Sequence, residues 1–157
     1  MNELEALRQG IQGGELFLEY QPIVELESGR CTGAEALVRW RRATGVVQPA
    51  DFIPLIEDTP LSGMLTYWVI EQLAEELGDW LRHHPDASLA IDGEAPSWLV
   101  DLTNLSRSTE LKIIAEGVET AAQAQALHEA GIALAQGFHF SRPLSAGSFR
   151  VYFAEHS

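Results

Sequence analysis

The chain has 157 residues, 46% of them hydrophobic and 21% charged, which fits one globular domain with a substantial core and excludes a disordered chain. Its net charge is -13, from 10 basic and 23 acidic groups, with no basic stripe. That excludes a binder of polymeric nucleic acid, whose affinity comes from neutralising phosphates, and leaves a small anionic ligand dependent on local arginine or bound cations.

No apolar run approaches the roughly 18 residues of a membrane helix, so no membrane partner is expected. The N-terminus MNELEALRQG has no basic-then-apolar signal pattern. The single cysteine, Cys31, is expected on a strand in a reducing compartment, and the chain is expected to be cytoplasmic.

The first helix starts at Asn2, with Glu5 placed as its reciprocal capping partner, and carries its apolar stripe on Leu4, Leu7 and Ile11 before Gly13-Gly14. Leu16 to Leu26 reads as a strand. Pro22 cannot donate to a ladder, so this strand is expected at an edge or with a bulge. Glu27-Ser28-Gly29-Arg30 is a turn, and Cys31 to Trp40 is the antiparallel neighbour it joins. Asp51 is expected to cap a short helix over Phe52 to Glu57.

Leu65, Trp68, Val69, Leu73, Leu77, Trp80 and Leu81 recur at three- and four-residue steps, one face of a long helix that closes at His83-His84-Pro85-Asp86. Ser88 to Asp92 is a short apolar strand, Trp98 to Ser108 a helix, and Lys112 to Glu116 a buried-type strand. Thr120 with Gln123 is a capping box that opens a helix ending at Gly131, and Ala133 to Phe140 reads as the last strand. Strands alternating with helices after residue 60 imply α/β architecture with parallel pairing. No linker or repeat divides the chain.

Several residues stand out chemically. Glu35 sits in mid-strand between apolar neighbours, and a buried carboxylate there must be paired or functional. Glu116 and Glu119 follow a strand end, as site groups or as solvated loop carboxylates. Asp92-Gly93 is a turn or a source of a ligand oxygen. Arg39 beside Trp40 faces a ligand or forms a surface stack. The histidines show no metal-ligand spacing, and Gly10, Gly13 and Gly14 follow no strand and so form no phosphate loop.

Gly33-Ala34-Glu35-Ala36-Leu37-Val38-Arg39-Trp40, preceded by Tyr20-Gln21-Pro22-Ile23-Val24, together with Ala115-Glu116-Gly117-Val118-Glu119-Thr120 and Gln136-Gly137-Phe138, resemble the EAL family, the phosphodiesterases that open cyclic di-GMP. The resemblance runs from Leu4 to Phe149 in family order, with a large piece absent near Val100. It implies a modified TIM barrel with its site at the C-terminal strand ends. It implies hydrolysis with two divalent cations, Mg²⁺ or Mn²⁺. By position, Glu35, Asp92 and Glu116 would be metal ligands, with Glu116 also the catalytic group beside the attacking water. Arg39 would face a ligand phosphate, Glu119 would support its loop, Gln136 would hydrogen-bond in the site, and Gln21 and Pro143 would line the nucleotide pocket.

TIM barrels need roughly 250 residues, so about 90 are missing. The family's fourth to sixth strands, with a glutamate, a paired-aspartate loop and a catalytic lysine, have no counterpart. The expected fold is an incomplete TIM-like barrel of about five strands with flanking helices, as an open sheet or one completed by a partner chain. The resemblance then implies a degenerate EAL domain that binds cyclic di-GMP with little or no hydrolysis. Its alternatives are an active phosphodiesterase completed by another chain, a homodimer included, or a structural module that contacts a protein partner.

Overall fold

The computed structural model describes residues 2–91 and 114–157. Asp92, the expected helix Trp98–Ser108 and the family-pattern gap near Val100 lie outside the described residues. In chain order the elements are α1 (Glu3–Gln12), β1 (Leu16–Glu25), β2 (Cys31–Arg42), β3 (Gly45–Val47), α2 (Pro49–Phe52) with a 3₁₀ turn over Ile53–Leu55, α3 (Leu61–His83), β4 (Ser88–Ile91), β5 (Ile114–Ala115), α4 (Ala121–Glu129), β6 (Leu134–Ala135) and α5 (Ala146–Glu155). No described helix is long and apolar enough to cross a membrane.

The sheet is a curled half-barrel ordered β3-β2-β1-β6-β5, with β4 also on β2. β1 is antiparallel to both β2 and β6, whereas β2–β4 and β5–β6 are parallel. β3 is antiparallel to β2 as well, so β1 in the interior and β3 at the edge run opposite to the other four strands. Among the described residues β4 and β5 do not pair, and the sheet is open between them, an incomplete TIM-like barrel as the strand count requires.

Two-residue alternation gives the sheet two unlike faces. Leu16, Leu18 and Tyr20 of β1 and Ala34, Ala36, Val38 and Trp40 of β2 join Leu7 and Ile11 of α1, Leu65, Val69 and Leu77 of α3 and Phe149 of α5 in one core. The opposite face carries Phe17, Glu19 and Gln21 on β1 and Glu35, Leu37 and Arg39 on β2. There Gln21 stands across from Glu35 and Glu19 across from Leu37. The polar groups of the two strands therefore share the face that the helices leave uncovered.

β1 is an interior strand, not an edge, and its irregularity lies between Ile23 and Val24. Tyr20 N–H bonds Leu144 O (2.6 Å), so the Pro22 nitrogen, two residues on, faces the same side. On that side β6 pairs only with Val24 and Glu25, so the missing donor breaks no rung.

Other expectations are corrected locally. Asn2 accepts from Glu5 N–H at 2.8 Å, but the Glu5 carboxylate pairs with Arg8 instead of returning to the cap. The helix near residue 50 begins earlier, because Pro49 supplies the first-turn φ. Gln48 is therefore its cap residue and Asp51 lies inside it. Arg42, not Arg39, lies over Trp40, at 4.4 Å, since Arg39 points to the other face of β2. At the end of α3, His83 is exposed, whereas His84 is half-buried and stacks on Trp80 at 4.3 Å. The last strand stops at Ala135, well short of Phe140.

Candidate active site

The reason β6 stops where it does is also what builds the site. Gln136 N–H bonds Ala115 O (2.9 Å), Val118 N–H bonds Gln136 O (3.2 Å), and His139 N–H bonds Val118 O (3.0 Å). The loop after β5 is thereby laid against the end of β6. Gly137 has φ +155°, and a Cβ there would overlap the backbone of Val118. With strand pairing replaced by these loop contacts, residues 137–140 turn away from the sheet.

Glu116 and Glu119 ride on this loop, both exposed, on either side of the buried Val118. The loop ends in the expected capping box. Thr120 Oγ1 accepts from Gln123 N–H (3.1 Å), and Gln123 Oε1 accepts from the N–H groups of Thr120 (3.2 Å) and Glu119 (2.8 Å). The Glu119 backbone is therefore fixed by the helix start, while its carboxylate is left to solvent.

Gln21 and Gln136, 5% and 6% exposed, are the buried amides of the site. Gln21 Nε2 donates to Ser141 O and so ties β1 to the segment after β6. Two reciprocal hydrogen bonds between Tyr20 and Leu144 (2.6 and 2.8 Å) hold that segment again, with half-buried Pro143 between the two anchors. Gln136 Nε2 lies 3.5 Å from Glu35 Oε2, which leaves Gln136 Oε1 as a buried acceptor with no hydrogen-bond donor among the described residues.

Gln21, Glu116, Gly117, Glu119, Gln136, Gly137 and Phe138 line one cavity of about 240 Å³. Five expected residues are thus brought together: Gln21, Glu116, Glu119 and Gln136 in the cavity wall, and Glu35 directly behind Gln136. Arg39 is not at this wall. It lies four residues along β2 from Glu35, with Nε donating to Glu19 Oε1 at 3.0 Å.

The donors test poorly against a pair of divalent cations. Among the described residues no three His, Cys, Asp or Glu side chains stand close enough to hold even one metal ion. Two hard cations need several oxygen ligands in common. The described part of the site does not fit a two-metal centre, and no catalytic step is derived through one.

Sequence reasoning missed three participants. Glu19, the partner of Arg39, was legible in principle, because two-residue alternation places it on the same face. Phe138, in the cavity wall at 56% exposure, was passed over as part of a strand. Helix α5, opened by Ser145 accepting from Ser148 N–H, supplies Phe149 beneath Tyr20 and was not expected.

The EAL domain model matches residues 4–97 and 85–143. The chain is 43% identical over 91 residues to the probable cyclic di-GMP phosphodiesterase PdeB of Escherichia coli, across 57% of this chain and 18% of that protein. It is 38% identical over 123 residues to a cyclic di-GMP phosphodiesterase of Pseudomonas aeruginosa, across 74% of this chain and 21% of that protein. The chain thus spans about a fifth of the length of these curated relatives.

Among solved structures, the EAL enzyme Bd1971 with cAMP and cyclic di-GMP superposes with TM-score 0.77 at 20% identity, over 95% of this chain and 67% of that one. The PaMucR phosphodiesterase in complex with c-di-GMP gives 0.75 at 23%, over 93% and 98%. The Bacillus subtilis YkuI protein, with an EAL domain in complex with substrate c-di-GMP and calcium, gives 0.58 at 13%, over 99% and 64%. These structures share the fold. With the family model matched across most of its length, the chain belongs to the EAL domain family.

Proposed function

We propose that this domain binds cyclic di-GMP in the cavity between the β5 and β6 loops and that, alone, it hydrolyses the ligand little or not at all. The observation that carries the binding half is the cavity of about 240 Å³ in whose wall Gln21, Glu116, Glu119 and Gln136 converge from separate strands and loops. The observation behind the second half is the donor count. Glu35 and Glu116 are present, but no described cluster holds a cation. The sequence has no adjacent aspartates, and its single lysine is Lys112.

A second reading is supported by the two curated relatives named as phosphodiesterases and by the sheet, which among the described residues is open between β4 and β5. Here a second chain, in a homodimer or a hetero-complex, completes the site and supplies the missing ligands for Mg²⁺ or Mn²⁺.

Isothermal titration with cyclic di-GMP, with and without Mg²⁺, combined with chromatography for the linear dinucleotide, separates the two. The first reading expects heat of binding and no product. Product that forms with metal and disappears in Glu35→Ala favours the second. Neither heat nor product leaves a purely structural domain and refutes both.

A further inference from the structure

Phe138 is costly where it stands. A phenyl ring 56% exposed forfeits much of the gain of burial, and the backbone around it is pinned so that it cannot fold inward. Gly137 is wedged on Val118, Ser141 O holds Gln21, and Leu144 is bridged to Tyr20. The ring is a wall of the same cavity as Gln136 and Glu116. The Arg142 guanidinium lies 4.6 Å from its centroid.

An aromatic face on a rigid loop, backed by a cation and opening on a ligand cavity, is the arrangement that stacks a nucleobase.

We propose that Phe138 is the stacking platform for one guanine of the ligand, with Arg142 reinforcing the ring from its side. This rests on the binding of cyclic di-GMP proposed above and names the residues that hold the base.

The test titrates the native chain, Phe138→Tyr and Phe138→Leu with cyclic di-GMP, following affinity by calorimetry and the base H8 resonance by proton NMR. Because Phe138 is exposed, its variants are expected to fold, and circular dichroism checks this. Stacking predicts an upfield H8 shift in the native chain and in Phe138→Tyr, lost in Phe138→Leu together with roughly tenfold of affinity. Equal affinity and equal H8 shift for Phe138→Leu and the native chain overturn the proposal while leaving ligand binding intact. Failure of the native chain to bind cyclic di-GMP overturns both.

Discussion

Gly137 and Val118 stand so close that a single methyl group on Gly137 would overlap the Val118 backbone, and through this contact the loop bearing Glu116 and Glu119 is held against the end of β6. Gly137→Ala is therefore expected to cost about 1–3 kcal/mol as overpacking. It would also push the two walls of the cavity apart, so cyclic di-GMP affinity should fall further than thermal stability alone accounts for. Thermal melts paired with calorimetry check this. Native affinity in a folded Gly137→Ala protein would disconnect the contact from the site.

A comparable close approach fixes the other side of the sheet. A Cβ on Gly33 would overlap the Ser88 carbonyl, where β2 and β4 run in parallel from the pair Gly33–Ser88 to the pair Ala36–Ile91. Gly33→Val is expected to detach β4, leaving β2 edge groups unpaired, and to destabilise by about 3 kcal/mol or more. Urea unfolding should show a lower midpoint. Hydrogen exchange should show faster exchange at Leu89 and Ala90, with the β1–β2 ladder retained.

High pH should unfold this protein through groups remote from the cavity. Burial pushes the Cys31 thiol above its ordinary 9.0, and burial followed by the Glu76 carboxylate pushes the Tyr20 phenol well above 10.0. A group whose folded-state pKa is raised contributes its full stability below the unfolded value and loses it as pH climbs toward the folded one. Stability should therefore be level up to about pH 8 and fall from about pH 9 upward, first through Cys31 and then through Tyr20. Urea midpoints between pH 7 and 10.5 check the sign. Cys31→Ala should flatten the first part of the fall, and a midpoint rising with pH over this range would contradict the assignment.

What could be read in advance follows physical locality. The helix α3 was legible because its apolar residues repeat over many turns, and the Thr120–Gln123 box because both partners lie within one turn. Glu35, Glu116 and Gln136 were found through motif resemblance, not through spacing, because they converge from separate strands and loops. The end of β6 was misjudged because apolar residues continue to Phe140. What stops the strand is the Val118 backbone, more than fifteen residues earlier in the chain, and no local pattern reports it. Pro22 misled in the opposite sense. Its missing donor suggested an edge, but the neighbouring strand is so short that an interior position carries no penalty.

Arg39 is the residue whose expected role meets the clearest competition. The family resemblance sets it toward a ligand phosphate, yet its side chain is only 11% exposed and its Nε is occupied by Glu19 across the strand pair. A carboxylate at 3.0 Å neutralises much of the guanidinium's charge toward an incoming anion, and Nη1 lies 3.4 Å from Val38 O. If phosphate contact is made by Arg39, then Glu19→Gln should raise affinity for cyclic di-GMP severalfold by removing the competing charge, and Arg39→Ala should lower it about tenfold. Glu19→Gln should change stability by no more than about 1 kcal/mol, since Glu19 is about a third exposed and the amide keeps its shape; Arg39→Ala also removes a largely buried stem, so its thermal melt is recorded beside its affinity. The two effects should also diverge with salt. The Glu19→Gln gain should shrink as ionic strength rises, because it is a long-range charge effect. Calorimetry at two salt concentrations measures this. Equal affinities for the native chain, Glu19→Gln and Arg39→Ala would remove Arg39 from the binding surface and leave the pair a strand-to-strand tie.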